Sequence, residues 1–108
     1  MVERFFTPQA ANQILPDVKR IVQEILAQAS QPQISRERVM PLLVQLEDMG
    51  CYYKDWNYQI GLVDFPAIIH GQEALLCWRS DEPEVAWFHG FQDGYAGRRP
   101  ITRELVFS

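Results

Sequence analysis

GLVDFPAIIHGQEALLCWRSDEPEVAWFH, residues Gly61 to His89, is the stretch whose reading decides the fold. It carries Trp78 and Trp87, both histidines (His70 and His89) and Cys77. Leu62 to Ile68 and Glu73 to Arg79 are rich in branched and aromatic residues, which suit pleated strands. Between them, His70-Gly71 suits a two-residue hairpin turn in which both central residues take positive φ, glycine freely and histidine tolerably. Setting Ile69 opposite Gln72 puts Phe65 against Leu76, Asp64 against Cys77 and Val63 against Trp78. Ser80-Asp81-Glu82-Pro83 reads as the next turn. Setting Arg79 opposite Glu84 closes it with a cross-strand ion pair, places Val85 against Trp78 and sets Trp87 against Leu76.

Alternation along strands then sorts the side chains. One face carries Val63, Phe65, Ala67, Ala74, Leu76, Trp78, Val85, Trp87 and His89, an almost unbroken apolar surface ending in an imidazole. The other carries Leu62, Asp64, Pro66, Leu75, Cys77, Arg79, Glu84, Ala86 and Phe88, which is mixed. A slip of one residue in any strand would exchange its two sets.

Upstream, Thr7-Pro8 is a helix start: a hydroxyl N-cap followed by proline, whose missing N–H costs nothing there. Pro16 disfavours helix at Leu15, so the first helix is expected to be kinked or split there and to restart at Pro16-Asp17. Val18, Ile21, Val22, Ile25, Leu26 and Ala29 then recur at spacings of three and four, one apolar stripe. Ser35 is a candidate cap for a second helix. Its stripe is Val39, Leu42, Leu43, Leu46 and Met49, with Pro41 as a kink or a start and Gly50 as the stop. The expected architecture is α+β: an N-terminal α-hairpin packed on one face of a small antiparallel β-meander of three to four strands. Met1 to Phe6 reads as an edge strand, Cys51 to Asp55 as a link or first strand, Trp56 to Gln59 as a loop. Gly90 to Pro100 reads as a long irregular segment, and Thr102 to Ser108 has no evident place.

The chain of 108 residues has the size of a single domain, residues 1–108. Its 47% hydrophobic and 22% charged residues are ordinary for a globular protein. A net charge of −4 lacks the basic footprint of a nucleic-acid binder. No apolar run approaches the roughly 20 residues that span a bilayer, and MVERFF has no signal-peptide core. Cys51 and Cys77 make no disulfide framework, in keeping with a cytoplasmic protein.

The chain resembles a small prokaryotic family catalogued only as a domain of unknown function. The resemblance rests on Phe6-Thr7, Ala11-Asn12, Leu15-Pro16, Gly50-Cys51, Lys54-Asp55, the GLVDFP run from Gly61 to Pro66, and Gly71. It continues through Leu76-Cys77-Trp78-Arg79, Glu82, Trp87, His89 and Gly94 to Arg98. It covers nearly the whole chain and implies the domain boundaries, but carries no activity to transfer. Family members commonly have Gly-Glu where this chain has Asp81-Glu82. They often have an acid where it has Gly90.

Several residues have a chemical and a structural reading. Asp64, a carboxylate inside an apolar strand, is a base or ligand, or else the partner of Arg79, diagonal on the same face, or of a backbone N–H. His89 has a pKa suited to acid–base work or ligation, or makes a structural hydrogen bond at the sheet edge. Cys77 is a reactive thiol beside Arg79 or a small buried one. Arg98-Arg99 after a glycine-rich loop suits a phosphate or carboxylate, or a solvated pair answering Asp93. Trp56, Tyr58 and Tyr95 line a pocket or belong to the core. A metal site from Asp64, Cys77 and His89 is not expected, because this register turns His89 away from the other two and no C-x-x-C or H-x-x-H spacing is present. No cofactor fingerprint is present either.

Three functions fit. The first is a binding module acting as a homodimer, because the second sheet face is too apolar to leave wet and the helices cover only one. The second is a small-molecule or anion binder, or an enzyme, with candidate binding residues Asp64, Arg79, His89 and Arg98 around the Gly90 to Pro100 loop. The third is a part of a larger assembly held by the tail from Thr102.

Overall fold

A computed structural model describes residues 4–33, 36–55 and 58–108. Helix α1 spans Pro8–Ala29, capped by the Thr7 hydroxyl, which accepts the Ala10 N–H at 3.1 Å. The segments expected on either side of Pro16 form one unbroken helix. Helix α2 spans Arg36–Asp48 with Pro41 inside it, so Pro41 does not mark its start, and the expected Ser35 cap falls outside the described residues. Its end is a Schellman motif: Gly50 takes φ 95°, its N–H reaches the Glu47 carbonyl, and the Cys51 N–H reaches Leu46.

The sheet has five antiparallel strands in sequence order. They are β1 (Tyr52–Tyr53), β2 (Leu62–Ile69), β3 (Gln72–Arg79), β4 (Trp87–Gly90) and the short β5 (Arg99–Pro100). The fifth lies in the segment expected to be irregular. The β2–β3 hairpin has the expected register, with His70 and Gly71 at φ 51° and 77°. Pro66 sits mid-strand at no ladder cost. Its carbonyl accepts the Phe6 N–H at 2.7 Å, so the side on which its N–H is missing faces away from β3.

The core joins both helices to Val63, Phe65, Ala67, Ile69, Ala74, Leu76 and Trp78, one face of the sheet. Trp78 is buried there, and Asp64 points the opposite way, as expected. The tail also has a place: Leu105 and Phe107 pack on this core, and the Val106 and Ser108 carbonyls accept the N–H groups of His70 and Gly71. The tail therefore docks on its own hairpin rather than standing clear as a handle.

The register of β4 differs from expectation by one residue. Cys77 faces Trp87, Leu76 faces Phe88 and Leu75 faces His89. Phe88 thus packs toward the core, while Trp87 and His89 join the outer face with Asp64 and Cys77. The cause is tertiary. The Asn12 amide on α1 binds both polar groups of the Val85 peptide, accepting its N–H at 2.7 Å and donating to its carbonyl at 3.2 Å. Val85 is thereby removed from the strand ladder. Glu82 folds in beneath it, its carboxylate accepting the Arg79 N–H at 2.7 Å and its carbonyl the Trp78 indole N–H at 3.0 Å. The expected Arg79–Glu84 pair does not form. Arg79 binds Asp81 instead.

Replacing Asn12 with alanine orphans a buried peptide, and losing such partners costs about 1–3 kcal/mol. Urea unfolding of Asn12→Ala should show that loss, with the β2–β3 pairing retained in NOE spectra.

Candidate functional site

The slip of β4 assembles a polar cluster on the outer face. Asp64 on β2, Cys77 on β3 and His89 on β4 are all at least nine-tenths buried, and one ligand atom from each lies within 4.8 Å of the others. The expectation that His89 points away from this pair is therefore corrected: Leu75, not Leu76, is its neighbour across the ladder. His89 Nε2 lies 3.3 Å from Asp64 Oδ1. Its Nδ1 lies 2.9 Å from the Gly90 carbonyl, which only accepts, so Nδ1 carries a proton and donates it there. Nε2 is left facing the carboxylate. The Asp64 partner is thus His89 and not Arg79.

Burial dominates the electrostatics. It pushes the Asp64 carboxyl above its usual range, while the His89 charge, hydrogen bonds from His89 and Cys77 and the Lys54 charge pull the other way. Burial, with Asp64 adding to it, pushes the Cys77 thiol up to about 12, with Arg98 opposing. A cavity of about 280 Å³ opens above the cluster, with Lys54, Leu75, Phe91 and Tyr95 on its walls.

The loop after β4 roofs this place. The Asp93 carboxylate accepts the Gly90 N–H at 3.2 Å, so a carboxylate lies against Gly90 although none follows His89 in sequence. A Cβ at either Gly90 or Gly97 would sit 2.6 Å from Asp93, so the loop closes tightly only with glycine at both positions. Tyr95–Gly97 forms a single 3₁₀ turn. Beyond it, Arg98 is nearly buried. It binds both Glu82 carboxylate oxygens at 2.6 and 2.8 Å and the Cys77 carbonyl at 3.3 Å, between the rings of Trp87 and Tyr95. Arg99, not Arg98, lies near Asp93, at 3.9 Å on the surface.

Of the four candidate binding residues, Asp64 and His89 meet directly. Arg98 stands behind Cys77, occupied by Glu82. Arg79 is at the rim, donating to Asp81 and to the Tyr95 hydroxyl. Tyr58 stacks on Tyr53 instead of lining this cavity, and Trp56 lies outside the described residues. Asn12, Lys54 and Glu82 carry no chemical role in the sequence reading, where Glu82 belongs to a turn and Lys54 to a link. A single polar side chain reaching a distant segment leaves no periodic trace in sequence.

The fold and the cluster define a small α+β protein with one face of its meander given to a core and the other to a roofed polar pocket. The chain belongs to the family described as uncharacterized conserved protein (DUF2203), whose model matches residues 29–101. The matched region contains the whole sheet, the cluster and its roof. Neither a curated protein nor a solved structure matches the chain. Among the described residues, no helix is long and apolar enough to cross a membrane.

Both thiols are free and buried, and burial also pushes Cys51 up to about 12. With almost no thiolate present near pH 8, neither should react with a disulfide reagent in the folded protein. Both should react once urea unfolds it, and rapid native labelling of Cys77 would show an open pocket.

Proposed function

We propose that the protein binds a small anionic molecule in the outer-face pocket. The observation that carries this reading is the pocket's composition: a buried floor of Asp64, Cys77 and His89 beneath a cavity of about 280 Å³ that has Lys54 on its wall. Ligand sites are concavities with apolar walls and a few convergent polar groups, and Leu75, Phe91 and Tyr95 supply the walls. The charge of Lys54 already acts on Asp64, so this cation on the cavity wall points its field at the floor. Arg98 and Arg79 support the site from behind and from the rim, since Glu82 and Asp81 occupy their charges.

Titration of labelled protein with inorganic phosphate and with acetate should shift the resonances of Lys54, His89 and Tyr95. Lys54→Ala should weaken that binding by about tenfold, the equivalent of 1.4 kcal/mol. Unshifted resonances at about 10 mM, well beyond the ~1 mM of a −4.1 kcal/mol interaction, would end this reading.

Self-association is a second reading, favoured by the surface next to the pocket. Phe5 and Phe91 are 48% and 63% exposed and flank an apolar groove floored by Pro66 and Leu75. Arg4, Lys54 and Glu73 also line it, charges of both signs that a second copy related by a two-fold axis could pair. On the outer face Trp87 takes the place of Phe88, which turns to the core, and the loop residue Phe91 adds exposed apolar surface. Light scattering behind size exclusion should give a dimer mass for the native chain and a monomer for Phe91→Asp. A native monomer at micromolar concentration would remove the reading.

A further inference from the structure

We infer that Asp64, Cys77 and His89 form a three-ligand site for a divalent transition-metal ion of the zinc class, with a fourth position open to the pocket. This deepens the pocket reading and rests on it only for what occupies the fourth position.

The geometry points to a cation. Gly90 fixes the proton of His89 on Nδ1, which leaves Nε2 as the atom that meets Asp64 Oδ1. A ring nitrogen tied to a backbone carbonyl, with its other nitrogen presented to a cluster, is the usual support of a metal-bound histidine. Zinc takes nitrogen and oxygen ligands at about 2.0–2.1 Å, so a tetrahedron built on them has a nitrogen–oxygen edge of about 3.3–3.4 Å. The observed separation is 3.3 Å. The three ligand atoms already lie within 4.8 Å of one another, so the sulfur needs to close by about 1 Å to complete a face with a zinc–sulfur bond near 2.3 Å.

Ligand type agrees with the metal class. Thiolate, imidazole and carboxylate together suit zinc and its neighbours, whereas calcium and magnesium take oxygen throughout. Charge also balances: a thiolate and a carboxylate neutralise a divalent ion, which a site this buried requires. The three ligands come from three adjacent strands, rigid elements that hold them on one side, and the cavity lies on the other. Three protein ligands with an open position is the arrangement that lets a metal accept water or an anionic ligand. The same ion would explain why an anion is drawn toward a floor that contains Asp64.

The test uses the full chain, stripped with a chelator and titrated with Co²⁺. The expected result is one equivalent bound, with thiolate-to-cobalt charge-transfer absorption and the strong visible bands of four-coordinate cobalt. Zn²⁺ should bleach both and raise the thermal midpoint. Cys77→Ser should lose the charge-transfer band, while Cys51→Ser, whose thiol lies in the helix-covered core, should keep it. His89→Gln should weaken binding by more than the roughly 10- to 100-fold that losing a merely supporting group costs. A native chain that gives no thiolate band and no midpoint shift with Zn²⁺ overturns the inference, whatever the variants do. Phosphate-induced shifts that persist without any metal binding would overturn it while leaving the pocket reading in place. Metal binding without phosphate or acetate shifts would support it and sink the anion reading alone.

Discussion

The contact between the Asn12 amide and the Val85 peptide decides where the chemistry of this protein lies. A carboxamide offers one acceptor and a donor side by side, the same pair that a strand offers its neighbour. Here α1 uses it to take Val85 out of the ladder. The pairing after β3 is therefore displaced by one residue from that of the expected four-residue turn, and strand periodicity turns that residue into a reversal of faces. Phe88 goes to the core, and His89 goes to Asp64. With the shorter turn, an imidazole would lie under the helices and the carboxylate would be alone.

The rest of the outer face supports that outcome. Glu82 serves four groups at once: the Trp78 indole, the Arg79 N–H and carbonyl, and the Arg98 guanidinium. Each of those would be a costly orphan in a dry setting, and a charge stripped of its partner there costs about 3–5 kcal/mol. Arg98 in turn holds the 3₁₀ turn through Tyr95 and caps the Cys77 carbonyl. Asp93 tightens the same loop against Gly90 and Gly97, where no side chain fits. The loop that reads as irregular in sequence is thus a fixed roof. It also covers part of the face that the helices do not reach, leaving Phe5 and Phe91 exposed at its margin.

What was legible in the sequence follows the range of the interactions. The helix stripes, the Thr7 cap, the Gly50 stop and the His70-Gly71 turn are set by residues within a few positions of one another, and the β2–β3 register follows from that turn. Asp64 facing Cys77 was readable for the same reason. The β4 register was not, because it depends on a residue 73 positions away in sequence. Turn chemistry at Ser80 to Pro83 pointed to a short hairpin and carried no sign that Glu82 would be drawn inward by Arg98. The tail was illegible in a simpler way. Its backbone pairs with the N–H groups of the hairpin tip, and such pairing needs no particular side chain.

The cluster is harder to explain as architecture than as a site. Fold stability alone would be served as well by three apolar residues of similar size, since buried polar groups gain little over well-packed apolar ones even when fully paired. Asp64, Cys77 and His89 are instead tied to one another, since His89 and Cys77 both hydrogen-bond the Asp64 carboxyl. Nδ1 of His89 is tied to Gly90, so Nε2 is the atom that meets the carboxyl across a 3.3 Å hydrogen bond in a buried place. A proton holds that contact in the absence of metal, and a cation can take its place. A shared proton suffices for two atoms. It does not account for a cavity opening above all three residues. The divalent ion inferred above would take the imidazole nitrogen, the carboxylate and the sulfur together, and would present its remaining position to that cavity.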